Sequence, residues 1–236
     1  MFVVDRLLNK RTGEQQRYKT LLWSLIILFV MYPVVQRLGL SRFWSLLFVA
    51  ELLFAVYSVS EGTKSLKIAA ILVTPAILGE LSFFFLESRE THWFSVISVG
   101  VFLSYVIFVV YKTSVFSKGR MTGDRVAGAI AVYLLLGLLW ALVYGMVAAI
   151  DADAFKGLAP FSLEESGAQQ EFIYFSFVTL TTLGYGDMSP VSPFARTLAW
   201  FEAVFGQLYL AVTIARLVSL EVTHSAKVSG EDQEGS

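Results

Sequence analysis

The sequence contains no cysteine and only two histidines among its 236 residues. The absence of cysteine excludes disulfides, thiolate metal sites and cysteine catalysis, and it leaves the redox compartment unreadable. Charged residues make up only 16% of the chain against 56% hydrophobic residues, and the net charge is -1. A nearly neutral chain offers no basic patch for nucleic acid, which we exclude as a partner. No short apolar core with a small-residue cleavage site precedes residue 21, so we expect no removable signal peptide.

The apolar residues are gathered into blocks longer than a soluble domain needs. About 17 to 25 apolar residues suffice for a helix to cross a bilayer. The sequence predicts six such helices, at about residues 21–35, 43–59, 66–86, 93–111, 126–150 and 194–220. The apolar segment at 170–181 is too short to cross and must enter and return, because a helix rises about 1.5 Å per residue. We therefore predict an all-α membrane protein with six transmembrane helices and one re-entrant helix.

Lysine and arginine are divided unequally between the loops on the two sides of this arrangement. Thirteen of the 18 lie in the N-terminal segment, the second-to-third and fourth-to-fifth loops and the C-terminal end, and five lie on the other side. By the positive-inside rule, both termini are cytoplasmic. We expect a multi-pass protein of the cell membrane, with lipid as its surroundings.

A polar run at residues 179–187, with the sequence TLTTLGYGD, follows the re-entrant segment. Backbone of this kind at membrane depth must be buried in protein or line water. A dehydrated cation needs closely spaced oxygen ligands, and backbone carbonyls supply them without a fixed charge. Pointing successive carbonyls the same way requires unusual backbone angles, which Gly184 and Gly186 tolerate at the required alternation. The run therefore predicts a cation pathway, although a glycine-rich turn between two helices is the alternative.

Three side chains of the run fit the same chemistry. Thr182 adds a hydroxyl oxygen at the inner end, Tyr185 is large enough to brace the loop, and Asp187 places a carboxylate at the outer mouth. The re-entrant helix directs the partial negative charge of its C-terminus at the pathway, which favours a cation there.

These residues resemble the potassium channels of the tetrameric pore-loop superfamily, whose filter motif is T-x-G-Y-G. The match is TLGYG at residues 182–186, followed by Asp187, and it extends over about residues 126–220 as outer helix, pore helix, filter and inner helix. The resemblance implies that K⁺ is the only bound ion and that no other cofactor is used. It assigns K⁺ coordination to the carbonyls of Thr182, Leu183, Gly184 and Tyr185. Because one chain supplies one strand of the filter, it also implies a homotetramer with the pore on the four-fold axis.

The resemblance assigns filter geometry and support to Thr181, Gly186, Asp187, Tyr174 and Phe175. Tyr174 and Phe175 stand where many relatives carry two tryptophans, and Phe175 cannot donate a hydrogen bond. Gly206 lies twenty residues after Gly186, where the family often has a gating hinge. Close packing against a neighbouring helix explains Gly206 equally well.

The resemblance is to the six-helix, prokaryotic type of channel and divides the chain into five parts. These are a cytoplasmic N-terminal segment at 1–20, a four-helix domain at 21–111, a basic cytoplasmic linker at 112–125, a pore domain at 126–220 and a disordered tail at 221–236. The four-helix domain resembles a voltage sensor in helix number, yet residues 93–111 contain no arginine or lysine. A voltage sensor needs charge that moves through the field, so we predict weak or absent voltage gating. We expect no soluble ligand-binding domain in the chain.

Three glutamates fall within the six predicted transmembrane helices. Glu51 and Glu80 could sense protons, because ionisable groups in a membrane are costly and often functional. The alternative is that each is hydrogen-bonded inside the bundle by a serine, tyrosine or tryptophan. Glu202 precedes Gly206 by one helical turn, and we expect it to support the pore helix.

Three other functions compete with a potassium channel. A less selective monovalent cation channel usually loses the filter tyrosine, which Tyr185 retains. A potassium transporter subunit usually places four filter-like loops in one chain, and this sequence has one. An intramembrane enzyme needs paired catalytic groups, and nothing pairs persuasively with Glu51 or Glu80. We therefore predict that the protein is not an enzyme.

Overall fold

A computed structural model of the chain describes residues 16–38, 44–59, 63–86, 89–117, 121–157 and 168–234. Helices account for nearly all of this part of the chain. In chain order the elements are α1 (Arg17–Arg37), α2 (Trp44–Val59), α3 (Thr63–Leu86), α4 (Arg89–Ser114), α5 (Gly123–Ile150), β1 (Phe155–Lys156), α6 (Ala168–Leu180), β2 (Ser189–Pro190) and α7 (Pro193–Glu234).

Five of these helices, α1, α3, α4, α5 and α7, are long and apolar enough to cross a membrane. Helix α2 has 16 residues, which corresponds to about 24 Å and falls short of a hydrocarbon core of about 30 Å. The mostly helical fold with several membrane helices is confirmed. The count of six crossings stays a prediction, because residues 39–43 and 60–62 on either side of α2 lie outside the described residues.

Helix α5 contacts four other helices, namely α1, α4, α6 and α7. Small residues on α5 make this possible, since they let neighbouring backbones approach closely. A Cβ added to Gly128 would lie 2.8 Å from Ser114 of α4 and 3.0 Å from the ring of Tyr18 of α1. A Cβ added to Gly137 would lie 2.6 Å from the ring of Phe177 of α6. Helices α1, α4 and α6 therefore meet on one helix.

The start of α5 is tied to α1 and to the end of α4 by polar contacts. The Lys19 amide donates to the Asp124 carboxylate at 3.0 Å, which joins α1 to the first turn of α5. The Arg125 guanidinium donates from Nε to the carbonyl of Ser114 at 2.8 Å, and it also bonds the Ser117 carbonyl. The described residues of the basic linker are thus held against α5.

Two predicted boundaries differ from the structure. Helix α1 begins at Arg17, inside the segment predicted to precede the first helix, whereas residues 1–15 lie outside the described residues. The tail predicted to be disordered from residue 221 instead continues α7 to Glu234. An existing helix extends without a new nucleation cost, and no proline follows Pro193 to stop it.

Candidate functional site

Helix α6 ends at Leu180, and the filter segment, which we define as residues 181–187, turns back from its C-terminus. The amide of Thr182 donates to the carbonyl of Thr179 at 2.9 Å, and the amide of Leu183 donates to that of Val178 at 2.9 Å. These bonds use donors of the filter segment to satisfy the last carbonyls of the helix. The carbonyls of the filter segment are left for another partner.

The backbone of the filter segment alternates in handedness. Thr182 has φ 58°, Gly184 has φ 59° and Gly186 has φ 80°, whereas Leu183 and Tyr185 between them have ordinary negative values. Alternation of this kind turns successive peptide groups the same way, as a row of ion-coordinating carbonyls requires. Glycine adopts a positive φ without steric cost, but Thr182 pays about 1–2 kcal/mol for it. Strain at a β-branched residue marks a conformation that its surroundings impose.

One side of the filter segment is open. Leu183 is 55% exposed and Tyr185 is 67% exposed, and a Cβ added to Gly184 or Gly186 would meet nothing within 4 Å. Within the described residues, no hydrogen bond is donated to the carbonyl oxygens of residues 182–185. A row of unsatisfied carbonyls can face a cation or water, and it cannot lie against lipid.

The outer end of the filter segment is fixed by a hydrogen bond between side chains. The Tyr174 hydroxyl donates to Asp187 Oδ2 at 2.6 Å, and the amide of Met188 donates to Asp187 Oδ1 at 2.9 Å. The bond to Tyr174 lowers the pKa of Asp187 below its usual range and raises the pKa of Tyr174 to about 12. Asp187 is therefore ionised and places a negative charge beside the last carbonyls.

A two-residue sheet holds the loop that follows. Strand β1 pairs antiparallel with β2, so that Phe155 lies opposite Pro190 and Lys156 opposite Ser189. Gly157, directly after β1, approaches Asp187 so closely that an added Cβ would lie 2.0 Å from the Asp187 carbonyl oxygen. The outer loop thus packs directly on the end of the filter segment.

Glu202 of α7 is completely buried behind the filter segment. Its Oε2 accepts a hydrogen bond from the Tyr144 hydroxyl of α5, and its Oε1 lies 2.6 Å from the Ser176 hydroxyl of α6. The same Ser176 hydroxyl lies 2.8 Å from the carbonyl oxygen of Gly137. Ser176 has one hydrogen to donate, so every group is satisfied when Glu202 carries a proton and donates it to Ser176. This network joins α5, α6 and α7, in agreement with the supporting role that the sequence indicated for Glu202.

The carbonyl of Leu180, at the end of α6, also contacts both α5 and α7. It accepts a hydrogen bond from the Tyr133 hydroxyl at 3.2 Å. A Cβ added to Gly206 would lie 2.5 Å from the same carbonyl oxygen. Close packing therefore explains the glycine at position 206. Its use as a gating hinge stays a prediction.

Phe175 belongs to an aromatic cluster and is 4% exposed. Its ring lies 4.9 Å from that of Tyr144 and 5.4 Å from that of Phe155, both in edge-on geometry. Edge-to-face pairs add stabilisation beyond the burial of their area. Phe175 thus braces α6 by packing, while its neighbour Tyr174 supplies the hydrogen bond to the outer mouth.

Glu51 and Glu80 lie in the four-helix domain, apart from the filter segment. The Ser24 hydroxyl donates to Glu51 at 3.1 Å, and the Ser95 hydroxyl donates to Glu80 at 2.5 Å. Each carboxyl therefore has the kind of partner that the alternative to proton sensing required. Proton sensing stays a prediction.

Reasoning from the sequence did not identify four features of the site. They are the positive φ of Thr182 and the contributions of Tyr144, Ser176 and Gly157. A buried glutamate needs polar partners at its own depth, so comparing the depths of polar residues in the neighbouring helices would have found Tyr144 and Ser176. No local signal marks Gly157, because its role depends on a contact with Asp187 thirty residues later.

Backbone oxygen is the ligand that the site offers. In the described residues, no group of three or more histidine, cysteine, aspartate or glutamate side chains could hold a metal ion. The filter segment instead presents carbonyl oxygens and the Thr182 hydroxyl, which are hard ligands suited to an alkali cation.

Comparison with known proteins adds to this geometry. Residues 132–222 match the family model described as "Ion channel". The chain is 32% identical over 115 residues to "Potassium channel subfamily K member 4" of Mus musculus, covering 42% of this chain and 29% of that protein. It is 35% identical over 81 residues to "Inward rectifier potassium channel Kirbac3.1" of Paramagnetospirillum magnetotacticum, covering 34% of this chain and 24% of that protein. The chain thus spans less than a third of the length of these relatives.

The Glu202 network yields a stability prediction. Replacing Glu202 with leucine leaves the buried Tyr144 hydroxyl without an acceptor, while Ser176 keeps its bond to the Gly137 carbonyl, so we expect a loss of about 1–3 kcal/mol. Replacing it with glutamine keeps one acceptor for Tyr144 and one donor for Ser176, so we expect a change of less than about 1 kcal/mol. Thermal unfolding of the purified protein in detergent measures both. A leucine variant as stable as the wild type would contradict the role of the network, and Glu221→Gln, at an exposed position of α7, is the control.

Proposed function

We propose that this chain, which matches the "Ion channel" family model over residues 132–222, is a potassium-selective channel of the pore-loop superfamily and not an enzyme. K⁺ passes through the TLGYG sequence of the filter segment, with the carbonyls of Thr182, Leu183, Gly184 and Tyr185 as ligands. The protein crosses the cell membrane six times and has both termini in the cytoplasm. The pore domain is residues 126–220, and the helices at 21–111 form a separate domain beside it.

The alternating φ signs at residues 182, 184 and 186 carry this proposal. They support a single row of carbonyls that accept no hydrogen bond from the described residues. Leu183, where valine is commoner in the family, contributes through its backbone carbonyl, which a change of side chain leaves in place.

A less selective monovalent cation channel is the nearest rival. It would share the carbonyl row and differ in how rigidly the row is held. The Tyr174 bond to Asp187 and the packing of Gly157 favour a braced outer end, and so they favour selectivity. A potassium transporter subunit is disfavoured because the described residues contain a single filter segment.

Reversal potentials test the selectivity. We expect purified wild-type protein in planar bilayers to reverse near the K⁺ equilibrium potential in mixed K⁺ and Na⁺ gradients. Gly184→Ala places a Cβ on a residue with φ 59°, which costs about 1–2 kcal/mol in each subunit and distorts the row, so we expect selectivity or conduction to be lost. Leu183→Val is the matched control, and it should keep the wild-type reversal potential because the carbonyl is unchanged.

Two outcomes separate the rivals. A wild-type reversal potential that does not move when Na⁺ replaces K⁺ would establish the less selective channel. Transport that is coupled to another solute, without single-channel events, would favour the transporter. A Gly184→Ala protein with unchanged selectivity would contradict the assignment of the row.

We further propose that four copies assemble around the filter segment. One strand of carbonyls cannot surround an ion, and its open side needs water or protein. The inner helix supports this proposal, because Val204, Leu208 and Val212 follow one another at intervals of four residues along α7 and are about half exposed, whereas Glu202 is buried. A ring of four closes on itself and gives each filter segment three partners.

Stoichiometry is measurable directly. We expect light scattering of the protein in mild detergent, corrected for bound detergent, to give four times the protomer mass of 26.3 kDa. The same preparation unfolded in strong detergent supplies the protomer value. A stable dimer or monomer that still conducts K⁺ would contradict a homotetramer.

Voltage is not the stimulus in this proposal. The buried face of α4 consists mainly of apolar residues such as Val99, Phe102 and Val106, and between Glu90 and Tyr111 the helix has no arginine or lysine. One charge crossing the whole field gains about 4.6 kcal/mol over a range of about 200 mV, so a helix without charge gains almost nothing. In patch-clamp recordings we expect a nearly constant conductance across that range, so that the current varies linearly with voltage. A steep conductance–voltage curve that is attributable to the four-helix domain would overturn this expectation.

A further inference from the structure

An elongated groove runs between α1 and α2 of the four-helix domain, and none of its lining residues belongs to the filter segment. Its volume is about 560 Å³, which is in the range of small-molecule sites. On α1 its lining extends from Lys19 to Met31, and these twelve residue steps correspond to about 18 Å of helix. The shape suits a single chain better than a ring system.

The floor of the groove carries a buried carboxyl group. Glu51 is 4% exposed and lines the groove. Its one hydrogen bond within the described residues comes from Ser24 at 3.1 Å, and the single hydroxyl hydrogen of Ser24 is shared with the carbonyl of Leu21 at 2.9 Å. A buried carboxyl oxygen without a full set of donors is unfavourable unless a ligand supplies them.

The walls of the groove are mostly apolar and open. Trp23 is 63% exposed, Ile27 is 58% exposed and Phe54 is 45% exposed, and all three line it. Lys19 lines one end of the groove, where α1 begins. An amphiphile that enters therefore meets apolar side chains along most of its length, a carboxyl group at the floor and one positive charge at the mouth.

We propose that this groove binds a single-chain amphiphile with a primary amine as its head group. The ammonium donates to Glu51, which is the carboxyl that lacks donors, and the alkyl chain lies along Trp23, Ile27 and Met31. Charge complementarity selects the amine, because an ammonium group brings three donors and the charge opposite to a carboxylate. A long-chain carboxylate would place its like charge beside Glu51 or pair with Lys19 instead. This site does not depend on whether the chain conducts K⁺.

Quenching of tryptophan fluorescence tests the site in the full-length protein in detergent. The probe is dodecylamine brominated at its chain end, since bromine quenches an indole that it contacts. We expect saturable quenching that unbrominated dodecylamine reverses and that Trp23→Phe abolishes. Glu51→Gln removes the charge at constant size, and we expect it to raise the half-saturating concentration about tenfold. Glu80→Gln is the matched control, because Glu80 is also held by a serine and does not line the groove.

Two comparisons on the wild-type protein keep the proposal falsifiable if the Glu51→Gln variant fails to fold. The brominated trimethylammonium analogue has the same charge and chain but no N–H donor, and we expect it to bind at least several-fold more weakly. Equal half-saturation for the two amines, or quenching that never saturates, means partition into the micelle and overturns the site. Tighter binding of brominated dodecanoate than of the amine places the head group at Lys19 and overturns the assignment to Glu51.

Discussion

A backbone carbonyl at membrane depth must have a partner, and this constraint governs the pore half of the molecule. The amides of the filter segment donate hydrogen bonds to the last carbonyls of α6. Its own carbonyls form a row that accepts no hydrogen bond from the described residues. Such a row is stable only where it faces ions, water or other copies of itself. Under the proposed function, the return of the chain after α6, the positive φ values and the exposed face of α7 all fit the placing of that row inside a membrane.

Holding the row requires contacts at both of its ends, and the chain uses different chemistry at each. At the outer end a single hydrogen bond from Tyr174 orients Asp187, and Gly157 lets the outer loop rest on the Asp187 carbonyl. Behind the row, Glu202 joins three helices through hydroxyl groups that are completely buried. The outer contact is exposed and can exchange with water, whereas breaking the inner one leaves groups unsatisfied in a dry interior.

The parts of the site that sequence could predict are those that a few adjacent residues determine. TLGYG specifies its own backbone, because glycine at 184 and 186 is needed whatever surrounds it. Tyr144, Ser176 and Gly157 act through contacts between residues far apart in the chain, so no local pattern identifies them. The prediction for the tail at residues 221–236 relied on local composition alone. Its polar composition indicates disorder, but a helix that already exists extends through such residues at little cost. Composition also fails to decide the role of α2. Its apolar residues fit both a membrane crossing and a buried helix, and only its length of 16 residues distinguishes the two.

The four-helix domain has no arginine ladder, yet its contacts with the pore domain are specific. Three helices converge on the first turns of α5: Lys19 of α1 bonds Asp124, Ser114 of α4 faces Gly128, and Tyr209 of α7 donates to the carbonyl of Ala129 at 2.6 Å. The ring of Tyr209 also lies 5.6 Å from that of Tyr111 of α4. Close-packed interfaces of this kind shift between discrete arrangements rather than deforming smoothly. The first turns of α5 therefore connect α1 and α4 to α7 through packing and hydrogen bonds alone.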